Sequence, residues 1–423
     1  MIAALPVRRD RKPLLALIIS MTISLIGSQF TLIALPWFVL TTTGSAAKAG
    51  LVGFAELLPA LAVGIFGGVY VDRIGFKRVS VIADVVSGLG IVAIPLLYDT
   101  IGLAFWQLLV LVFIGSLLNV PSVTAHRSMV PELAALAGIP LARVNGFVES
   151  LRSLATLLGT PLAGFCVAWL GARQVLWLDA ASFAFSAALV ALLVPGAYFL
   201  AKPAIAANGY VKEVFAGLKF IRKDQLLWPM VIVLALMNAL TGSIGGLVLP
   251  VYAREEFGSA ASLGVMLAAT GAGAFLGSTL YGVFAERLSR TLVWVVAFLL
   301  MPFELWIFTL SPSVPVLVVV FLAGGIISGP LNPLMVTIRM ERSPEALRGR
   351  VFSTYSAVAG AAQPLGMLVI GNMIQGAGFT PAVVATAICA QTLGIVVILI
   401  PAFRRMDALR EDRPVTAPAA SRA

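Results

Sequence analysis

Twelve stretches of this 423-residue chain are apolar for the length of a bilayer crossing: 13–41, 47–71, 79–98, 102–126, 144–170, 174–195, 226–253, 260–286, 290–311, 315–339, 350–375 and 379–403. A helix rises about 1.5 Å per residue, so roughly 20 apolar residues cross the hydrocarbon. Lipid offers no partner for peptide groups, and a helix satisfies them within itself. Charged residues make up 11% of the chain, against about 25% in soluble domains. The expected fold class is an all-α polytopic membrane protein with twelve transmembrane helices. Cys166 and Cys389 lie in apolar runs, and a single histidine, His126, excludes multi-histidine metal chemistry. No metal site or cofactor is expected. The first apolar run, after Arg8, Arg9, Arg11 and Lys12, is too long for a signal-peptide core and is read as a retained helix.

The charges fall unevenly between the two sides of such a membrane. With the N-terminus inside, one side holds the N-terminal cluster, Arg73, Lys77, Arg78, Arg127, Arg143, Lys202, Lys212, Lys219, Arg222, Lys223, Arg287, Arg290, Arg339, Arg342, Arg348, Arg350 and the tail from Arg404. The other holds Lys48, Arg173 and Arg254. That bias places both termini in the cytoplasm of a multi-pass inner-membrane protein. It also accounts for the net charge of +10 without a nucleic-acid partner.

Between the second and third runs lies Gly68-Val-Tyr-Val-Asp72-Arg73-Ile-Gly75-Phe-Lys77-Arg78. Gly68 allows close helix approach, and Gly75 allows a turn that a Cβ would penalise. Asp72 is suited to a helix N-terminus. The second half of the chain repeats the pattern more weakly in Gly282-Val-Phe-Ala-Glu286-Arg287, where Ser289 and Arg290 replace the second glycine's neighbourhood. Pro121 precedes Arg127 by the same interval as Pro333 precedes Arg339, and Pro131-Glu132 is matched by Pro344-Glu345. Repeats in one order predict two six-helix bundles related by an axis along the membrane normal. They occupy 1–195 and 226–404. A linker at 196–225 carries an amphipathic helix (Val211, Val214, Phe215, Leu218, Ile221), and a disordered tail covers 405–423.

The turn at Gly68–Arg78 resembles the signature between helices 2 and 3 of the major facilitator superfamily, and the resemblance covers essentially the whole chain. Gln29-Phe-Thr-Leu-Ile-Ala-Leu-Pro36-Trp, Pro131-Glu132-Leu and Phe215-Ala-Gly-Leu-Lys-Phe-Ile-Arg222 are similar to the drug:proton antiporter group of macrolide efflux proteins and the enterobactin exporter. Gly159-Thr-Pro161-Leu-Ala-Gly164 departs from that group's Gly-Pro motif by one inserted residue. The resemblance implies the major facilitator fold, a central cavity, alternating access and export of an amphiphilic compound against protons. It assigns Gly68, Asp72, Arg73, Gly75, Lys77 and Arg78 to a conformational latch, and Gly282, Glu286 and Arg287 to its second copy; Asp84, one to two turns into the third run, is read from its position as bracing Arg73 or Arg78.

The chain has no P-loop and no nucleophile–base arrangement, so an enzyme or an ATP-driven pump is not expected. Ionisable groups inside the spans are then the informative ones. Proton-coupling candidates are Glu56 in the second run, and Glu149 with Arg152 in the fifth, three residues apart and able to pair. Asp179 reads as interfacial and Glu304 as peripheral. Cavity-lining candidates are Gln29, Asn119, Asn238, Asn332, Tyr355 and Gln363, each equally suited to tying helices together. The expected partners are a small amphiphilic substrate, protons and lipid, in a monomer. A lysophospholipid or siderophore transporter, an uncoupled facilitator and a non-transporting receptor remain open as alternatives.

Overall fold

The computed structural model of the chain describes residues 10–196, 217–404 and 406–407, apart from the side chains of 60–73, 156 and 346. The side chains of Gly68, Asp72 and Arg73, the linker residues Val211, Val214 and Phe215, and the tail from 408 lie outside the described residues. All regular structure among the described residues is helical. The long helices are α1 Lys12–Thr43, α2 Ala46–Ile74, α3 Phe76–Thr100, α4 Phe105–Ala137, α5 Leu141–Leu170, α6 Ala172–Leu193, α7 Leu227–Phe257, α8 Ala260–Phe284, α9 Arg290–Leu310, α10 Val314–Arg342, α11 Arg348–Ala377 and α12 Phe379–Leu399. Eleven are long and apolar enough to cross a membrane on their described residues, and α2, with 29 residues, completes the twelve.

The helices form two bundles, α1–α6 and α7–α12, and repeat one another in detail. Helix α4 breaks at Leu118, three residues before Pro121, and α10 breaks at Gly329 and Pro330, just before Pro333. Proline lacks the N–H that would carry the ladder through. The α5–α6 and α11–α12 turns use the same backbone, with φ +90° at Gly171 and φ +91° at Gly378. The bundles meet mainly through α2 on α11 and α5 on α8, which are the same pair of helices under the repeat. This is the geometry of a two-fold axis along the membrane normal.

Helix α4 runs on to Ala137 with Pro131 inside it, so Pro131-Glu132 is helical rather than part of a loop. The described part of the linker forms a helix over 217–223. Ile221 is fully buried, and a Cβ on Gly217 would come within 2.6 Å of Thr354 Oγ1 and 2.8 Å of the Arg350 carbonyl. This segment is therefore packed on α11.

With twelve crossings, the start of α1 and the end of α12 fall on one side of the molecule, called here the basic end. The three cations at the far end are few and engaged. Arg173 donates to Asp99 at 2.5 Å, Lys48 lies 5.3 Å from the Phe105 ring centre, and Arg254 neighbours Glu255 and Glu256.

Candidate functional site: a cavity sealed at one end

Glycines report where the bundles touch, because a Cβ built on each measures the space between backbones. Near the far end that space is absent. A Cβ on Gly164 of α5 would lie 2.5 Å from Gly264 Cα of α8, and one on Gly50 of α2 would lie 2.5 Å from the Met367 carbonyl of α11. A Cβ on Gly371 would meet the Ala46 carbonyl at 2.9 Å. The basic ends of the same helices are different. Gly146 on α5, Gly282 on α8 and Gly349 on α11 have nothing within 4 Å of a built Cβ. Small residues let these helices close the far end backbone to backbone, while their basic ends stand apart.

A cavity of about 330 Å³ lies in the basic half, at the low end of the size usual for small-molecule pockets. Helix α1 supplies an apolar wall with Ile18, Met21 and Leu25, edged by Thr22, Ser24 and Ser28. Helix α4 supplies Asn119, Ser122, Val123, His126 and Arg127, and α5 supplies Val148, Glu149 and Arg152. Ser87 and Phe183 form its floor. Glu149 and Arg152 pair at 3.4 Å with side chains 63% and 53% exposed, so they sit at the solvent-facing wall. Arg127 is also exposed and has no ion-pair partner among the described residues. Its repeat mate Arg339 is buried instead, its guanidinium 4.5 Å from the Phe352 ring centre and 4.8 Å from that of Tyr355. The two bundles thus use the same position oppositely, one cation facing the cavity and one locked under aromatic rings.

Of the expected cavity residues only Asn119 lines this cavity. Asn238 donates to the Ala359 carbonyl at 2.9 Å and Gln363 to that of Gly242 at 3.1 Å, so this pair ties α7 to α11. Gln29 packs against α5, where a Cβ on Gly159 would meet its Cγ at 2.8 Å. Tyr355 is 1% exposed beneath Arg339, and Asn332 is exposed on α10 away from these contacts.

The expected latch residues that the structure describes make their contacts within the N-terminal bundle. Gly75 takes φ +91° at the start of α3, a conformation that favours glycine. Lys77 Nζ donates to the Ala191 carbonyl at 2.8 Å, placing a cation on the C-terminal end of α6. Arg78 is exposed. Asp84 does not brace Arg78. It is 1% exposed and accepts from Ser122 at 2.9 Å and from Ser186 at 2.6 Å, with His126 Nε2 3.9 Å away. At the expected second latch copy, Gly282, Glu286 and Arg287 are exposed, and the Glu286 and Arg287 side chains make no hydrogen bond or ion pair among the described residues.

That corner is held by residues the motif comparison passes over. Arg290 donates to both oxygens of Glu341 at 2.7 and 2.9 Å, joining α9 to α10. Asp407 accepts from Ser289 Oγ at 2.5 Å and from the Arg290 N–H at 2.7 Å, capping α9. Burial pushes the Asp407 carboxyl up, but hydrogen bonds from Ser289, Arg290 and Thr291 outweigh it and hold the group below its ordinary value. Asp224 accepts from the N–H groups of Leu226 and Leu227 at 2.9 and 2.8 Å and from Arg342 Nε at 2.8 Å.

A second buried acid lies in the far half. Asp179 is 1% exposed, not interfacial, and accepts from Thr31 on α1 and from Ser182. Glu56 on α2 is close enough to feel its charge. Glu304 is also buried, its carboxyl against Gly324 of α10. Sequence reasoning missed His126 as a site residue. The available signal was an Asp and the sole His, each about two to three turns from the basic end of adjacent helices.

Comparison with known proteins agrees with this architecture. A family described as transmembrane secretion effectors, within the major facilitator superfamily, matches residues 6–420. The multidrug efflux pump Tap of Mycobacterium tuberculosis is 30% identical over 416 residues, covering 96% of this chain and 98% of that protein. Macrolide efflux protein A of Streptococcus pyogenes is 21% identical over 354 residues, covering 82% and 85%. The crystal structure of the nucleoside transporter NupG (D323A mutant) superposes with a TM-score of 0.77 at 14% identity, covering 93% of this chain and all of that one, which speaks to the fold alone. With twelve helices in two repeated bundles that close on each other at one end, and a family match running from residue 6 to 420, this chain belongs to the transmembrane secretion effector family of the major facilitator superfamily.

Proposed function

We propose that this protein exports an amphiphilic, drug-like molecule from the cytoplasm in exchange for protons, acting as a monomer whose cavity opens to each side in turn. The observation that carries the reading is the contrast between Gly164 against Gly264 at the far end and the open space around Gly146 and Gly282 on the same helices. A cavity so enclosed loads from the basic end. That end is assigned to the cytoplasm by its excess of Lys and Arg, so the state described is inward-facing with both termini inside. The lining supports an amphiphile, with an aliphatic wall from α1 facing Arg127, Glu149 and Arg152. Near-full-length similarity to a multidrug efflux pump supports drug-like cargo. Glu149 with Arg152 is assigned to the cargo side, and Glu56 beside Asp179 to proton uptake from the far half. In the outward-facing state Asp72 is assigned to cap α11 near Arg350 and Val351.

The test is accumulation of radiolabelled erythromycin in everted membrane vesicles energised by a proton gradient. Uptake that a protonophore abolishes is expected. Uptake indifferent to the protonophore would replace antiport with facilitated movement.

A further inference from the structure

We infer that the Asp84–His126 pair is the station from which the exchanged proton leaves to the cytoplasmic cavity. This deepens the antiport reading and rests on it.

The pair is placed for that task. Asp84 lies eight residues into α3 from the basic end and His126 eleven residues into α4, so both sit roughly 12–17 Å along their helices. They are 1% and 4% exposed, yet His126 and Ser122 also line the cavity. One route to water is therefore available, through the cavity wall. Asp84 Oδ2 and His126 Nε2 are 3.9 Å apart, and three hydroxyls complete the shell: Ser122 and Ser186 donate to Asp84, and Ser80 shares a 2.7 Å hydrogen bond with His126 Nε2.

What this shell lacks decides its chemistry. No permanent cation completes it among the described residues. Lys77 is committed to the Ala191 carbonyl, and Arg127 and Arg152 face the cavity with Glu149. Glu132 lies two turns nearer the basic end of α4, and Asp179 lies two turns along α6 from Ser186, held by Thr31 and Ser182. Among the described residues an ionised Asp84 therefore finds its counter-charge in a protonated His126. With one proton bound the pair is neutral overall, as carboxylate with imidazolium or as acid with imidazole. Losing that proton leaves one negative charge, which a dry interior disfavours. Release thus requires the cavity water that this inward-facing state supplies, and sealing the basic end would favour keeping the proton. The proton passes from imidazole nitrogen to water, no covalent bond to carbon is involved, and the hydroxyls reorient to donate to the charge left behind.

The experiment uses the full chain purified without a polyhistidine tag, so that His126 is its one imidazole. Imidazole-15N NMR in lipid nanodiscs needs no substrate. The expected result is one titrating signal whose midpoint moves by about one pH unit or more in Asp84→Asn; an unmoved midpoint overturns the pairing. In proteoliposomes, Asp84→Asn and His126→Gln are expected to keep downhill erythromycin movement and to lose the gradient-driven part by about tenfold. If wild type is gradient-driven and both variants remain so, the station is refuted while antiport stands. If wild type itself ignores the gradient, antiport falls and takes the station with it.

Discussion

Substituting Gly164 by alanine adds one methyl group at a backbone-to-backbone contact of the far-end seal. That Cβ would sit 2.5 Å from Gly264 Cα and 2.8 Å from the Ala260 carbonyl, while carbon atoms in ordinary contact stand about 3.5–4.0 Å apart. Both neighbours are backbone, so no side chain can turn away, and α5 and α8 must separate by about 1 Å. Forced overpacking of this kind costs about 1–3 kcal/mol. The cost falls only on the state in which these helices touch, so it acts as a differential stabilisation of the outward-open state. An equilibrium between the two states then moves by about 5- to 150-fold toward far-end opening. Double electron–electron resonance between spin labels on the α1–α2 and α7–α8 turns should show a longer far-end distance gaining population. Gly264→Ala should do the same. Gly146→Ala, where nothing lies within 4 Å, should leave the distribution unchanged. If Gly164→Ala and Gly264→Ala both matched wild type in distance and in transport, the far-end glycine contact would not be a gate.

Four further outcomes follow from the geometry. Asp224→Ala removes a cap and leaves Arg342 without its carboxylate; a loss of about 2–3 kcal/mol is expected in thermal unfolding, and an unchanged midpoint would refute it. Asp407→Ala uncaps α9 and should cost about 1 kcal/mol. Because hydrogen bonds outweigh burial and hold the folded Asp407 below its ordinary value, its contribution is present above that value and lost as pH falls through the folded one; wild type should therefore lose more stability than the variant on acidification below about pH 4. Glu56→Gln should abolish substrate-driven proton movement in proteoliposomes, and wild-type coupling in that variant would exclude Glu56. Asp72→Asn should slow transport and raise the inward-facing population, and wild-type behaviour in both measurements would remove Asp72 from the latch.

The turn at Gly75–Arg78 shows how far a motif carries. The glycine was legible because one backbone conformation is needed there, and it takes φ +91°. The partner of Lys77 was not legible, since Ala191 offers a carbonyl and no side-chain signal. At the weaker repeat, Glu286 and Arg287 match the motif by type yet stay exposed, while Arg290, Glu341 and Asp407 hold the corner. These three are far apart in sequence, and only the packing of α9 on α10 and the returning chain end brings them together.

The chain alone determined the membrane, the helices and the repeat, because burial in lipid is decided residue by residue over about 20 positions and charge bias accumulates over many loops. Pro121 and Pro333, legible in the sequence as marks of the repeat, sit just after the breaks that the structure shows in α4 and α10, since proline acts on its own turn. Only the tertiary structure decided which polar groups meet. Asn238 and Gln363 became ties rather than cavity walls, Arg127 faced the cavity while Arg339 did not, and Asp84 joined His126 and not Arg78. A helix repeats every 3.6 residues, so spacing narrows which side chains share a face. Which neighbour that face meets depends on rotation and tilt, and those are set by packing across the whole bundle.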